Sequence, residues 1–207
     1  SGVSETKVQD FSSLDSKTLV SHLAHKNGWW RTTAQRIILE NPKAEYIPLL
    51  KDLLSNENPN AQLHALYLLE SMGALEQGMV EEALESDNYG VRKNALMLAE
   101  NFPKLKEKIA EKINDESPIV SLQAILSLGN YEDDFTINQL AKALIEKGEN
   151  KWFRLGILSS NAGSGEAILK VLDEKYNFSG TEISWKEDYL KEVNHILEGK
   201  GIRAKVE

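Results

Sequence analysis

The sequence predicts an all-α fold, a right-handed α-α superhelix of about five helical hairpins that ends in an irregular helical cap. Three observations predict it. Helical segments recur about every thirty residues, each follows a turn rich in polar residues, Gly or Pro, and the apolar positions within them repeat with the helical period. With 207 residues, 41% of them hydrophobic, the chain can bury a core without disulfides or a metal.

The recurring helices share a small residue four positions after an apolar or aromatic one. The apolar positions are Trp30, Ala61, Val91, Val120 and Trp152, and the small residues are Ala34, Ala65, Ala95, Ala124 and Gly156. A small residue lets neighbouring helices approach closely, and stacking buries the apolar faces that one hairpin cannot bury alone.

A shorter amphipathic segment precedes each recurring helix. These segments cover residues 18–25, 46–54, 79–84, 105–113 and 137–145. The intervening turns contain Asp, Asn, Ser, Gly or Pro, which end one helix and cap the next. Arginines near the helix starts, Arg31, Arg92 and Arg154, are expected to pair with turn acids such as Asp87 and Glu149. Each unit is therefore predicted to be helix, turn, helix.

The ends of the chain depart from the repeat. Residues 1–13 are polar and weakly patterned, so we expect a disordered or loosely docked lead-in. The repeats extend over residues 14–162. A glycine-rich break follows, and residues 166–176 and 185–197 indicate two further helices. Residues 163–207 are therefore predicted to form a C-terminal helical cap of the same domain.

The composition argues against several functions. A net charge of -8 disfavours nucleic acid and direct membrane contact, because both need clustered Lys and Arg. The absence of cysteine excludes cysteine nucleophiles, thiolate metal sites and covalent haem attachment in this chain. We predict no catalytic, metal-binding or cofactor-binding residue. The start at Ser1-Gly2, without Met, suggests a segment of a longer protein.

Two resemblances follow from the repeat motifs. Residues 87–95, DNYGVRKNA, resemble the short HEAT repeats of bacteria, and this resemblance covers roughly residues 16–161. It implies an armadillo-like α-solenoid that binds proteins, although some HEAT proteins are lyases or isomerases acting on bilin chromophores. A chromophore-handling enzyme of the bilin-lyase type is therefore the alternative function.

The second resemblance is narrower. Residues 27–36, NGWWRTTAQR, and 63–70, LHALYLLE, resemble the HEAT region of large bacterial proteins described as putative membrane-bound dehydrogenases or c-type cytochromes. It implies a periplasmic or otherwise extracytoplasmic redox protein with a β-propeller before this segment and a haem domain after it. The expected partners are proteins or the flanking domains of the same polypeptide, and the haem would belong to a neighbouring domain.

A row of side chains marks the candidate binding surface. One position before the small residues stand Thr33, His64, Asn94 and Gln123, and three residues further on stand Arg36, Tyr67 and Met97. In solenoids the second helices line a concave face that binds partners. The alternative is a ladder of hydrogen bonds between stacked helices. Trp29, next to the inward Trp30, is predicted to pack on the first helix or on a neighbouring domain and is the candidate interface residue.

Overall fold

The computed structural model of the chain describes residues 11–160 and 166–199. These residues form α-helices and four short 3-10 helices and contain no strand, which confirms the predicted all-α class. The α-helices in this part of the chain are α1 (Ser16–Ser21), α2 (Gly28–Glu40), α3 (Tyr46–Leu53), α4 (Pro59–Ser71), α5 (Gln77–Leu84), α6 (Tyr89–Ala99), α7 (Lys106–Glu111), α8 (Pro118–Leu128), α9 (Asp134–Lys147), α10 (Lys151–Leu158), α11 (Glu166–Tyr176) and α12 (Lys186–Gly199).

The helices belong to two compact units, one up to Glu82 and one from Ala83 onward, and the division lies inside α5. In the first unit, α1 packs on α3, α3 on α4 and α2 on α4. In the second unit, α6, α8, α10 and α12 pack in succession, and α9 packs on α10 and α11. Residues 1–10 of the predicted lead-in and the predicted boundary between residues 162 and 163 lie outside the described residues.

Polar caps define where the longer repeated helices begin. The side-chain oxygens of Asn27, Asn58, Asn88 and Asn150 each accept a hydrogen bond from the backbone N–H two residues later, at 2.9 to 3.0 Å. Ser117 holds the corresponding position before α8, although its side chain makes no capping hydrogen bond there. A cap of this kind satisfies an N–H group that has no partner within the helix. The start of each of these helices can therefore be recognised in the sequence from its capping residue.

The cap before α10 corrects the predicted register of the fifth repeated helix. Counted from Asn150, the inward position held by Val91 and Val120 in α6 and α8 falls on Phe153, which is 7% exposed. Trp152, which the repeat pattern places there, is 67% exposed. The prediction is wrong by one residue because two adjacent aromatic residues fit the apolar position equally well. Only the geometry of the cap decides which of them turns inward.

The three repeated arginines hold the turns before their helices. Nη1 of Arg92 donates to the main-chain carbonyl of Asp87 at 3.1 Å, and Nη1 of Arg154 donates to that of Glu149 at 3.2 Å. Arg31 contacts its own preceding turn in the same way, through the carbonyl of Lys26 at 3.0 Å. Arg92 does pair with turn acids, but with Asp115 at 2.8 Å and Glu116 at 3.3 Å in the turn before α8, and no ion pair to Asp87 or Glu149 forms among the described residues. The guanidinium groups reach main-chain carbonyls of the turn that links the previous helix to their own.

Large aliphatic side chains fill the interior of each unit. In the first unit, Leu23, Ile38, Leu50 and Leu68 are fully buried. Phe11, from the end of the predicted lead-in, packs into the same core and is 7% exposed.

Within residues 11–160 and 166–199, no helix combines the length and the hydropathy needed to cross a bilayer.

Candidate functional site

The predicted binding residues of the first unit lie on α2 and α4, which pack against each other. Thr33, His64 and Tyr67 are half-buried, whereas Arg36 is exposed. The guanidinium of Arg36 lies 3.7 Å from the carboxylate of Glu40, one turn further along α2. The structure therefore places these four side chains on two neighbouring helices, with Arg36 directed to solvent.

His64 connects the two helices. Its Nδ1 lies 2.8 Å from Oε1 of Gln35 on α2. Burial, followed by the positive charge of Arg31, lowers the pKa of His64. Burial, followed by the negative charge of Glu70, raises the pKa of Tyr67. Both shifts favour the neutral side chains, and His64 makes its contact with Gln35 across the two helices.

The predicted residues of the second unit lie on α6 and α8. Nδ2 of Asn94 donates to the carbonyl of Gly90 at 2.8 Å, and Nε2 of Gln123 donates to Oγ of Ser127 at 3.2 Å. Each of these bonds spans one turn of its own helix. Met97 is 42% exposed and brings apolar surface to this part of the unit.

Trp29, the candidate interface residue, is 57% exposed. Its ring centroid lies 5.8 Å from that of Phe11 and 6.4 Å from that of Trp30, in edge-to-face arrangements. One side of the indole therefore packs on the segment before α1, and more than half of its surface is left to solvent.

The structure also reveals an exposed apolar surface of which the sequence interpretation identified only Met97. Ile119, Leu122 and Leu126 follow one another at i, i+3 and i+7 on α8, so they lie on one side of that helix. Ile119 and Leu126 are 54% and 40% exposed. Trp152 and Leu155 hold the matching positions on α10. We call the following residues the apolar face: Met97, Ile119, Leu122, Leu126, Trp152 and Leu155.

Gly156 brings α8 and α10 together at the apolar face. A Cβ atom at this position would lie 2.9 Å from Cδ1 of Leu122 and 3.8 Å from Cδ2 of Leu126. Counted from its cap, Gly156 stands where the other repeated helices carry the predicted polar row, Thr33, His64, Asn94 and Gln123. The missing side chain lets the leucines of α8 lie directly on α10, which makes the apolar face continuous across the two helices.

A pocket of about 300 Å³ adjoins the apolar face between α10 and α12. Leu155 is part of the apolar face and also lines this pocket. We call it the α10–α12 pocket, and the residues that line it are Leu155, Leu158, Ser159, Glu192, His195 and Ile196. The surface of the pocket is almost entirely apolar.

One carboxylate stands at the wall of the α10–α12 pocket. Oε2 of Glu192 is buried and has no hydrogen-bond partner among the described residues. Burial, followed by the negative charge of Glu192, raises the pKa of Tyr189, one turn earlier on α12. A carboxylate oxygen in apolar surroundings is costly unless a donor or a positive charge meets it. The buried oxygen of Glu192 lies behind the wall, however, because the surface that the pocket itself presents is almost entirely apolar.

The described residues contain no group of three or more His, Asp or Glu side chains that could hold a metal ion.

The chain matches no family model, no curated protein and no solved structure. The candidate site is therefore defined by its own geometry, as the apolar face of the second unit and the pocket beside it.

Proposed function

We propose that this chain is a non-catalytic scaffold of HEAT-like helical hairpins that binds a protein partner through the apolar face. The observation that carries the proposal is the exposure of Ile119, Leu126 and Trp152 on the neighbouring helices α8 and α10. Contiguous exposed apolar side chains are typical of surfaces that bind another protein. Trp152 is the largest of them, and tryptophan is enriched among the residues that dominate binding energy.

The proposal includes the predicted architecture, a right-handed α-α superhelix. The regular caps at Asn27, Asn58, Asn88 and Asn150 support it, as does the succession of α6, α8 and α10 within the second unit. In such an array each hairpin contacts only its neighbours, and the second helices form a shared binding surface.

The partner that we propose is a flanking domain of the same polypeptide. This part of the proposal depends on the resemblance of residues 27–36 and 63–70 to the HEAT region of putative extracytoplasmic dehydrogenases and c-type cytochromes. The chain would then position redox domains that carry the haem and the chemistry. The half-exposed indole of Trp29 offers a second contact for such a domain.

The test is direct binding of a model partner. A fluorescein-labelled amphipathic peptide of about 16 residues, with Leu and Trp on one face and only Gln and Ser on the other, is titrated with the full chain and followed by fluorescence anisotropy. We expect saturable binding. The triple variant Ile119→Ser, Leu126→Ser and Trp152→Ser should weaken it at least about tenfold, because it removes the exposed anchors of the apolar face.

Leu39→Ser is the matched control, because Leu39 is 47% exposed on α2, outside the apolar face. Its binding curve should coincide with that of the unmodified chain. Circular dichroism checks that the triple variant keeps its helices. Absence of binding by the unmodified chain, or equal weakening by the control and the triple variant, would contradict the proposed function.

A further inference from the structure

We propose that the segment occupying the apolar face is an acidic amphipathic helix, whose Asp or Glu side chains pair with Lys93 and Lys151 at the borders of that face. The inference depends on the proposed function, because it names the chemistry of the partner that the apolar face binds. It is carried by the charges on the three helices that present the apolar face, α6, α8 and α10.

The helices α6, α8 and α10 contain no Asp or Glu. Their charged residues are Arg92, Lys93, Lys151 and Arg154. Both arginines are 6% exposed and bind the turns before their helices, so the lysines supply the charge that these helices offer to a partner. The whole chain has 32 acidic residues against 24 Lys and Arg. The surface around the apolar face is therefore opposite in sign to the chain that carries it.

Lys93 lies in the row of side chains that forms the apolar face. Counted from the cap of each helix, it holds on α6 the position that Leu122 holds on α8 and Leu155 on α10. Met97 follows one turn later on α6. Lys93 is half-buried and forms no ion pair with another described residue. A positive charge without a counter-ion therefore borders the apolar side chains of α8.

Lys151 borders the apolar face on α10. It is exposed, it directly precedes Trp152, and it too forms no ion pair within the described part of the chain. Acids such as Glu149 lie in the turns before these helices and not among the residues of the apolar face. A partner that covers the apolar face thus meets lysines at its borders, and carboxylates are the groups that complement them.

The size of the site fits a helix. α8 packs against both α6 and α10. Because packed helices lie about 10 Å apart, the apolar face extends over roughly 20 Å from α6 to α10. A helix of about 14 residues has that length. An apolar surface formed between helices is a common receptor for the apolar side of such a partner.

A second copy of the chain is a poorer occupant. Two apolar faces in contact would bring no carboxylate to Lys93 and Lys151, because the helices that form the face have none. The lysines would then be covered without a counter-ion, which is costly. The net charge of -8 adds repulsion between copies at long range. An acidic amphipathic helix supplies both the apolar side chains and the missing carboxylates.

The experiment compares three peptides that differ in charge alone. The model peptide of the binding test is prepared with Glu, Gln or Lys at the two polar positions that border its apolar side, and each version is titrated with the unmodified full chain. We expect the Glu peptide to bind about fivefold more tightly than the Gln peptide, and the Lys peptide to bind most weakly. The net charge of -8 by itself favours the Lys peptide, so a preference for Glu reports local charges.

Variants of the chain assign the preference to the two lysines. Lys93→Gln with Lys151→Gln should remove the preference for Glu and leave the affinity for the Gln peptide within about twofold. Lys93→Glu with Lys151→Glu should reverse the order, so that the Lys peptide binds best. Lys175→Gln is the matched control, because Lys175 is an exposed lysine on α11, which packs on α9. This control should preserve the preference.

A second measurement locates the contact. Carbodiimide cross-linking joins a carboxylate directly to a lysine amine that touches it, and mass spectrometry of the digested product identifies the lysine. The Glu peptide should be joined to Lys93 or Lys151 and not to Lys175. Cross-links confined to lysines outside α6 and α10 would overturn the placement of the acidic helix.

The outcomes separate the two proposals. If the Gln peptide binds and loses affinity in the triple serine variant, but Glu brings no gain, the apolar face is a protein-binding surface and the acidic partner is wrong. If the preference for Glu survives Lys93→Gln with Lys151→Gln, the inference is again wrong. A dimer in sedimentation that the triple serine variant dissociates would make a second copy the occupant and also overturn it. If none of the three peptides binds, both proposals are wrong.

Discussion

At the scale of single residues, Arg92 and Asp115 form the most enclosed ion pair in the described part of the chain. Nε and Nη2 of Arg92 donate to the two carboxylate oxygens of Asp115, both at 2.8 Å. The two side chains are 8% and 6% exposed. Burial acts to raise the pKa of Asp115, but the hydrogen bonds from Arg92 and the Ser117 amide and the charge of Arg92 outweigh it, so this pKa is lowered.

The first prediction concerns the removal of Arg92. Arg92→Ala should lower the free energy of unfolding by about 3 kcal/mol, because it leaves the carboxylate of Asp115 buried without its partner. It also removes the hydrogen bonds to the turn before α6. Urea denaturation followed by circular dichroism measures the change.

The exposed pair Lys170 and Glu174 on α11 provides the comparison, because its side chains are 73% and 58% exposed. Lys170→Ala should cost under about 0.5 kcal/mol. Replacing both buried partners, Arg92→Met with Asp115→Leu, should recover much of the lost stability, since no charge is then buried alone. The account of Arg92 fails if Arg92→Ala costs no more than Lys170→Ala.

At the scale of helices, close approach in the second unit depends on particular glycines. Gly129 is the C-cap of α8, and a Cβ atom there would lie 2.5 Å from Cβ and 3.0 Å from Cα of Ser160, just after α10. Gly78, in the first turn of α5, has nothing within 4 Å of the corresponding position. The same substitution should therefore have opposite effects at the two sites.

The second prediction is this difference in sign. Gly129→Ala should reduce the free energy of unfolding by about 2 kcal/mol, because the main chain of Ser160 must move away. Gly78→Ala should raise it by about 0.5 kcal/mol, because alanine favours the helix over glycine. Parallel urea denaturation of the two variants tests both signs. A stabilised Gly129→Ala chain would show that α8 and α10 do not meet as closely as described.

At the scale of the whole molecule, two classes of titrating groups couple stability to pH. Burial, followed by the charge of His25, lowers the pKa of His22, and burial also lowers that of His64. These groups bind protons more readily in the unfolded chain, so their contribution to stability is complete above the unfolded pKa of about 6.5 and falls below it. A hydrogen bond from Lys106 is the main cause of the lowered pKa of Asp133. The carboxylate of Asp133 therefore loses its contribution to stability only below its unfolded pKa of about 4.

The third prediction is a decline in stability on mild acidification. The free energy of unfolding should fall as the pH is lowered from about 7 to about 5, where carboxylates with lowered pKa values remain ionised. The double variant His22→Gln and His64→Gln should show a flatter profile over that range. Urea denaturation at a series of pH values measures the slope. An equal slope in the double variant would rule out these histidines as its source.

Much of the fold follows from short-range patterns in the chain. The predicted segments at residues 166–176 and 185–197 correspond to α11 and α12, and the repeated helices begin at the polar turns. An asparagine cap and a period of 3.6 residues act over one or two turns, so they can be recognised without knowledge of the neighbours. The same patterns fail for Trp152 and Phe153, where adjacent residues satisfy them equally well.

The chain's own pattern was sufficient for the all-α class, for the places where the helices start and for most of the inward positions, because local hydrogen bonding and helical periodicity settle these. The exposed apolar face was decided by tertiary packing. Ile119, Leu122 and Leu126 have the residue types and spacing of a core, and only the tertiary structure shows that Ile119 and Leu126 remain exposed while Leu122 lies against Gly156 of α10. Glu192 is likewise an ordinary charged residue in the sequence, and only the tertiary structure shows that one of its carboxylate oxygens is buried without a hydrogen-bond partner among the described residues.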